Sequence, residues 1–368
     1  MKKFGRALFV LGAGLVSGLA LVASAAGTTS TSGVRVRHLQ VPISALAMDG
    51  SRIAYDVSAR YATNPKATNK VLVWNLGTGK TVKVSGKKTA AADSTSTGAG
   101  VFQLAIAGSR VAWLVNEGGN LEGDDYLFTS SLPSPKEHQV ATAMRSGTFC
   151  PGRSSGSCAG PWLGGLVGSG NLIAMNRWTT DATGVVSAGQ LDVLDGTKLK
   201  QVATGTNTVQ AAVADEGRVA MLRTDGTVAL YSATADKPLL TVDTPANTEV
   251  VALRGKNLLV GTKTQQLQLY NAHTGSLRKT FSARSNRPPR NLDVQGNVAI
   301  YTTGNAGVLH AVNLSTGKDR VIAERHGGIE FAHIDSAGLA YAGNGFGTNY
   351  GKGTLVFLPL AKVRAAVG

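Results

Sequence analysis

The amino-acid sequence repeats itself. "VLVWNLGTGKTVKV" at residues 71–84 returns as "LQLYNAHTGSLRKTF" at 267–281 and as "VLHAVNLSTGKDRVI" at 308–322. Each is an apolar–polar alternation broken by a Thr-Gly turn. Ahead of each stands a second alternating pair around a tighter turn. That earlier half recurs as "ALAMDGSRIAYDV", "QLAIAGSRVAWLV", "GLVGSGNLIAMNR", "AAVADEGRVAMLR", "VALRGKNLLVGTK", "NLDVQGNVAIYTT" and "AHIDSAGLAYAGN". The copies align on Ala54, Ala112, Ala174, Ala220, Leu259, Ala299 and Ala340, with successive separations of 58, 62, 46, 39, 40 and 41 residues. A period of about 40–45 residues marks units of four short strands. The two longest separations put insertions in the early units.

The other second halves are "YLFTSSLPSPKEHQV", "LDVLDGTKLKQV", "VALYSATADKPLLTV" and "TLVFLPLAKVRAAV". All read as hairpins, with Gly79, Gly275 and Gly317 free to take the positive φ that the bend needs. Each unit is therefore two hairpins, or four antiparallel strands. One such sheet leaves both faces wet, whereas seven set radially pack face to face. The expected fold is all-β: a seven-bladed β-propeller of four-stranded antiparallel blades spanning residues 34–368. Two stacked sandwich domains would leave seven equivalent units unexplained, and no long 3.6-residue apolar period runs outside the N-terminal segment. Lys and Arg after each turn open the outermost strand, where charge discourages sheet-to-sheet pairing. "VRVRHLQV" at residues 34–41 alternates like a strand and precedes the first unit. It is expected to close the ring as the outer strand of the last blade, beside residues 354–360.

The hairpins "NLGTGK", "NAHTGS" and "NLSTGK" and the G-x-R-Φ-A-Φ tags resemble those of the WD40-like and quinoprotein-like β-propeller superfamily. The resemblance covers nearly all of the chain after residue 33 and implies the ring fold. It carries over no cofactor, because the chain has four Trp and no adjacent cysteine pair.

The first residues read as an address. "MKKFGR" is basic, "ALFVLGAGLVSGLALVA" is apolar, and "ASAAG" offers a small-residue cleavage site. The apolar run is short for a bilayer and interrupted by Gly12, Gly14 and Gly18. Residues 1–26 are expected to be a cleaved export signal and 27–33 a flexible leader. The mature protein would then have no transmembrane anchor and be secreted, periplasmic or in the cell envelope. Cys150 and Cys158 in "CPGRSSGSC" are expected to form one local disulfide in that setting. Formal net charge is +15, and removal of Lys2, Lys3 and Arg6 with the signal leaves +12. Such a balance favours acidic partners. The cations are spread, with one dense run in "RSNRPPR" at 284–290, and export argues against nucleic acid as the partner.

No G-x-S-x-G or H-E-x-x-H motif occurs, and none of the six His is spaced like a zinc pair. Counting back ten residues from the alignment positions marks the mouth of the central channel at Ser44, Phe102, Gly164, Gln210, Glu249 and Glu330, with Arg290 in the sixth unit after a shorter turn. Glu249, Arg290 and Glu330 are charged on consecutive blades, and Asp293 and His333 lie further along the same strands. Two readings follow. The first is an exported non-catalytic scaffold, without cofactor, that binds a protein or an anionic surface polymer, its mouth a solvated rim with an Arg–Glu pair. The second is a metal-dependent hydrolase or lyase in which these side chains hold Ca²⁺ or a similar cation that activates water. The acidic insert "NEGGNLEGDDY" at 116–126 reads as a solvated loop and "NGFGTNYGKG" at 344–353 as a long hairpin loop, with Phe346 and Tyr350 available to a partner.

Overall fold

A computed structural model of the chain describes residues 29–31, 33–57, 68–91, 100–117, 123–145, 160–181, 185–205, 208–215, 217–223, 225–235, 237–285, 287–303, 307–324, 328–345 and 352–368. Six sheets of four antiparallel strands and one of five stand side by side, as blades over 46–83, 100–143, 160–205, 208–242, 248–282, 289–323 and 331–359, the last completed by 29–39. The first strand of each blade contacts the first strand of the next, and Phe331–Ile334 of blade 7 returns to Leu46–Asp49 of blade 1. The chain is a seven-bladed β-propeller, as the repeat requires.

The alignment residues explain why the units recur. Ala54, Ala112, Ala174, Ala220, Leu259, Ala299 and Ala340 are all 0% exposed on the second strand of their blades. Each sits in an apolar layer between two blades. Ala54 and Val73 meet Ile106 and Trp113 between blades 1 and 2, and Ala174 and Leu191 meet Val219 and Met221 between blades 3 and 4. Blades 7 and 1 share such a layer too, with Ala340 and Leu355 against Ile53 and Trp74. Burying one large aliphatic side chain contributes about 1.5–3 kcal/mol, so the interfaces carry the stability that an isolated blade lacks.

The Asn-x-x-Thr-Gly hairpins are built alike. Asn75, Asn271 and Asn313 each accept, through the side-chain oxygen, a backbone N–H two or three residues on, at 3.1, 2.9 and 2.9 Å. Gly79, Gly275 and Gly317 follow at φ 69°, 74° and 79°. The Gly-x-Arg tag has a different task. Arg52 donates to Gly108 O of the next blade at 2.6 Å, and Arg110 to Asn171 O and Leu194 O of the blade after it at 2.6 and 2.9 Å. Arg218 does the same to Gly255 O, and Asn257 takes the position in blade 5, donating to Gly296 O at 2.8 Å. In blades 1, 2, 4 and 5 this position staples the turn to the next blade.

Val34–Leu39 pairs antiparallel with Gly353–Pro359, Val36 opposite Val356 and His38 opposite Thr354, so the N-terminal strand closes the ring. Thr29–Thr31, within the stretch expected to be a leader, adds a fifth strand outside it. One expectation is corrected. "LAKVRAAV", read as the far arm of the last hairpin, is a helix, Leu360–Val367. The outer place is already filled by Val34–Leu39, and Leu360, Val363 and Val367, spaced along one helix face, bury against Val298, Ile300 and Leu339. The expected export signal, apart from its sequence, and Cys150, Cys158, Glu122, Phe346 and Tyr350 lie outside the described residues.

Val36→Pro removes a ladder donor from the closing strand. It should lower stability in urea denaturation by about 1–3 kcal/mol. An unchanged midpoint would show that the strand does not hold the ring shut.

Candidate functional site

The seven first strands surround a channel whose two ends differ. At the turn end the strands finish on Asp49, Ala107, Ser169, Asp215, Arg254, Gln295 and Ile334, with Asp335 directly after the last. Asp49 accepts Gly108 N–H at 2.6 Å and, from blade 3, Gly170 N–H at 3.1 Å. Asp335 accepts Gly50 N–H at 3.1 Å, and Asp215 accepts Gly255 N–H at 2.8 Å. Arg254 spans the channel, bonding Ser169 Oγ at 3.0 Å and standing 3.6 Å from the Asp335 carboxylate. This end is laced across by side chains. Above it a cavity of about 100 Å³ has Leu104, Leu166, Leu253 and Leu292 in its wall beside Asp293 and His333, room for roughly three waters.

The expected mouth residues divide. Asp293 and His333 do meet, Nδ1 to Oδ2, at 3.6 Å, yet the Asp293 oxygens are also taken by the N–H groups of Val294 and Ile334 at 2.7 and 3.0 Å. Glu330 accepts from Asn344 Nδ2 at 3.0 Å, and burial pushes its carboxyl up, with that bond opposing. Asn344 also clasps Ile43 through both N–H and C=O at 2.8 Å, joining blade 7 to blade 1. Glu249 is half-buried and Arg290 exposed. Among the described residues no ion pair joins Arg290 to Glu249 or Glu330, so the expected Arg–Glu pair is absent.

The reason is a bulge. The first-strand ladder slips between Val101 and Gln103, Gly164 and Val167, Thr208 and Ala211, Thr248 and Val250, and Arg290 and Asp293. A bulge re-aims the side chains beyond it, and a fixed count of ten residues runs through it. In blade 6 Asn291 adopts φ 44° and donates to Glu330 O at 2.7 Å, on the stretch where Arg290 was expected to face Glu330. Among the described residues no three His, Cys, Asp or Glu side chains converge as a metal site requires.

Ser44 belongs to a buried site that the sequence did not disclose. Asp56, fully buried, accepts Ser44 N–H, Ser44 Oγ–H and Ala45 N–H at 2.7, 2.6 and 2.7 Å. Desolvation nevertheless dominates and pushes its carboxyl up to about 7.

Blades 2 and 3 depart most from the repeat. The strands of blade 3, Gly160–Ser169, Leu172–Thr180, Val186–Asp195 and Lys198–Gly205, have 10, 9, 10 and 8 residues, against 7, 6, 6 and 6 in blade 5. Two acids of the insert face inward rather than to solvent or a cation. Asp125 holds the buried Arg145 at 2.7 and 3.1 Å, and Asp124 accepts Arg145 N–H at 2.8 Å. The Arg145 guanidinium lies 3.7 Å over the Trp162 ring, which stacks at 8° with Trp178. Between these blades at the mouth side lies a recess of about 370 Å³ that includes Thr142, Leu163, Arg177, Gln190 and Thr204. The spacing of 62 residues located an insertion here; it did not single out these residues.

Comparison with protein-family models gives no match, and comparison with curated proteins gives none either. Among solved structures, the chain is similar to a crystal structure of the computationally designed Ika8 protein. The TM-score is 0.49 and the identity 12%, over 87% of this chain and 97% of that one. The fold assignment rests on the strand pairings themselves.

Folded Asp56 keeps its proton up to about 7, whereas the unfolded carboxyl releases it near 3.8. The native state therefore binds the extra proton between those values, and this group's contribution to stability falls as pH rises through them. The Tm of wild type minus that of Asp56→Asn should fall across this window and level off above it. A difference independent of pH would refute the assignment.

Proposed function

We propose that this propeller is an exported, non-catalytic binding scaffold of the wider WD40-like and quinoprotein-like kind, and that its partner is an anionic polymer at the cell surface or envelope. The observation that carries the reading is blade 5. Between Glu249 and Asp293 the chain holds Arg254, Lys256, Lys263, Arg278, Lys279, Arg284, Arg287 and Arg290, and no Asp or Glu. Lys256, Lys263, Arg278, Arg287 and Arg290 are exposed. A Cβ on Gly261 would lie 3.3 Å from Pro289. That close approach sets Lys263 and Arg290 on one sector of the mouth. An acid-free basic stretch running from blade 5 into the start of blade 6 attracts polyanions and loses that attraction as salt rises.

A metal-dependent hydrolase needs donors that converge. Here the Asp293 oxygens accept backbone N–H groups, Glu330 is tied to Asn344, and Glu249 lies on a separate blade. No observation favours that reading over the scaffold. An acidic protein would use the same cations, and the test separates it from a polysaccharide.

The purified chain should be retained on immobilised polygalacturonate at low ionic strength, released as salt rises, and pass through neutral dextran. Replacing exposed Lys263, Arg287 and Arg290 by Gln should weaken retention about tenfold, at ~0.5 kcal/mol for each cation. Retention that persists unchanged in high salt, or in the triple variant, would count against it. Retention on polyglutamate but not on polygalacturonate would point to an acidic protein. A melting shift with Ca²⁺ or Mn²⁺ and metal in the purified protein would revive the hydrolase reading.

A further inference from the structure

We infer that the recess between blades 2 and 3 binds one acidic sugar unit, its ring lying against an apolar wall and its carboxylate meeting Arg177. The choice of an acidic saccharide rests on the scaffold reading above; the recess itself rests on geometry.

Strand register places one row of side chains across all four strands of blade 3. Leu163 stands opposite Arg177, Arg177 opposite Gln190, and Gln190 opposite Thr204. Side chains directly opposite across a ladder share one face of the sheet. Leu163 packs in the apolar layer shared with blade 2, so this face looks toward blade 2. Blade 2 bounds the recess opposite at Thr142 and Ala143; of the two, the Ala143 side chain is on the face toward blade 3, whereas Thr142 stands opposite Tyr126 on the face toward blade 1. The adjacent row, Trp162 opposite Trp178, also lines the recess, and its indole stack with Arg145 over it braces the extended sheet.

The polar heads of the row are fixed before any ligand arrives. Asp192 is 0% exposed and accepts from Arg177 Nε, from Arg177 Nη2 at 3.3 Å and from Gln190 Nε2 at 2.5 Å. One buried carboxylate thus holds a guanidinium and an amide in set orientations. Arg177 Nη1 and Gln190 Oε1 are left without partners among the described residues, and the Arg177 side chain is 41% exposed. The site therefore offers a charged donor, an acceptor, and the hydroxyl of Thr204. Pro161, Trp162 and Trp178 supply apolar surface, with Leu163 and Ala143 buried behind them.

That mixture matches a sugar, whose rim carries donors and acceptors and whose ring face carries C–H groups. A volume of about 370 Å³ is at the small end of ligand pockets, on the order of 300–1,000 Å³. No Asp or Glu lines the recess itself; Asp192 lies beneath it and takes Arg177 Nε and Nη2, which leaves Nη1 to donate to a carboxylate on the ring.

The test uses the full chain and calorimetric titration with trigalacturonate, an alginate trimer and a hyaluronan tetramer, alongside neutral galactotriose. At least one acidic oligosaccharide should bind, and the neutral one should bind at least about tenfold more weakly. Arg177→Lys keeps the charge and should still lose most of that selectivity, since lysine cannot serve Asp192 and the ligand in fixed directions. Thr204→Trp, from an exposed position that leaves the Arg177–Asp192 pair intact, should fill the recess and reduce affinity about tenfold or more, without changing the Tm. If no acidic oligosaccharide binds, or if Thr204→Trp binds as wild type does, the recess is not the site. Polygalacturonate retention separates the two proposals. Retention without a Thr204→Trp effect leaves the scaffold and removes the recess, whereas sensitive oligosaccharide binding without retention does the reverse.

Discussion

Neighbouring blades approach so closely at one position that only a small or well-fitted apolar residue can stand there. Ala54, Ala112, Ala174, Ala220, Leu259, Ala299 and Ala340 have no exposed surface, and the rest of the architecture depends on that contact. A four-stranded sheet with two apolar faces gains little alone. Seven sheets in a ring give every face a partner, but only if the ring closes, since an open seam would expose two faces at once. Hence Val34–Leu39, from ahead of the first blade, completes the last one, Val36 against Val356. Closure also fixes the channel, because seven first strands held side by side leave a narrow space at the centre, here about 100 Å³.

The two ends of that channel meet different demands. At the turn end short connections bring main-chain groups of successive blades together, and those groups need partners. Asp49, Asp215, Asp335, Arg52, Arg110 and Arg218 supply them. Among the described residues Arg254 Nε and Gln295 Oε1 are buried without a partner, a cost offset where many other bonds converge. Among the described residues the mouth shows no such repeating network, and the bulges of the first strands and the longer strands of blade 3 gather there.

How much of this could be read in the sequence follows from the range of each interaction. The Asn-x-x-Thr-Gly hairpins are local, and Asn271, Thr274 and Gly275 announce the turn without help from the rest of the chain. Blade number and ring closure were legible because apolar alternation records burial, and every blade is buried alike. The Gly-x-Arg tag was visible, but its role was not, since Arg52 finds its acceptor in Gly108, 56 residues away. The C-terminal helix was legible in principle from the spacing of Leu360, Val363 and Val367, yet analogy with the other units read it as a strand. The mouth was least legible. Bulges break the ladder there, so a fixed count from Ala299 arrives at Arg290 without predicting that Asn291, not Arg290, reaches Glu330. Asp56 with Ser44 and Asp192 with Arg177 stayed hidden, because nothing local marks which acid of many becomes fully buried.

The same division of range bears on what the molecule can do. Charge on blade 5 acts over a Debye length, about 8 Å at physiological ionic strength, and does not register which polyanion approaches. It can raise encounter rates and retain a polymer, but cannot choose among polymers of like charge. Discrimination needs groups fixed at contact distance whose bonds go unmade with the wrong partner. Blade 5 has little of that kind, since its exposed Lys256 and Lys263 end long flexible side chains. The row from Leu163 to Thr204 does, because Asp192 orients Arg177 and Gln190 from beneath while Leu163 holds the wall. A basic blade and a preformed polar recess on the same ring divide attraction from selection, and only the second depends on the residues that make blade 3 unlike its neighbours.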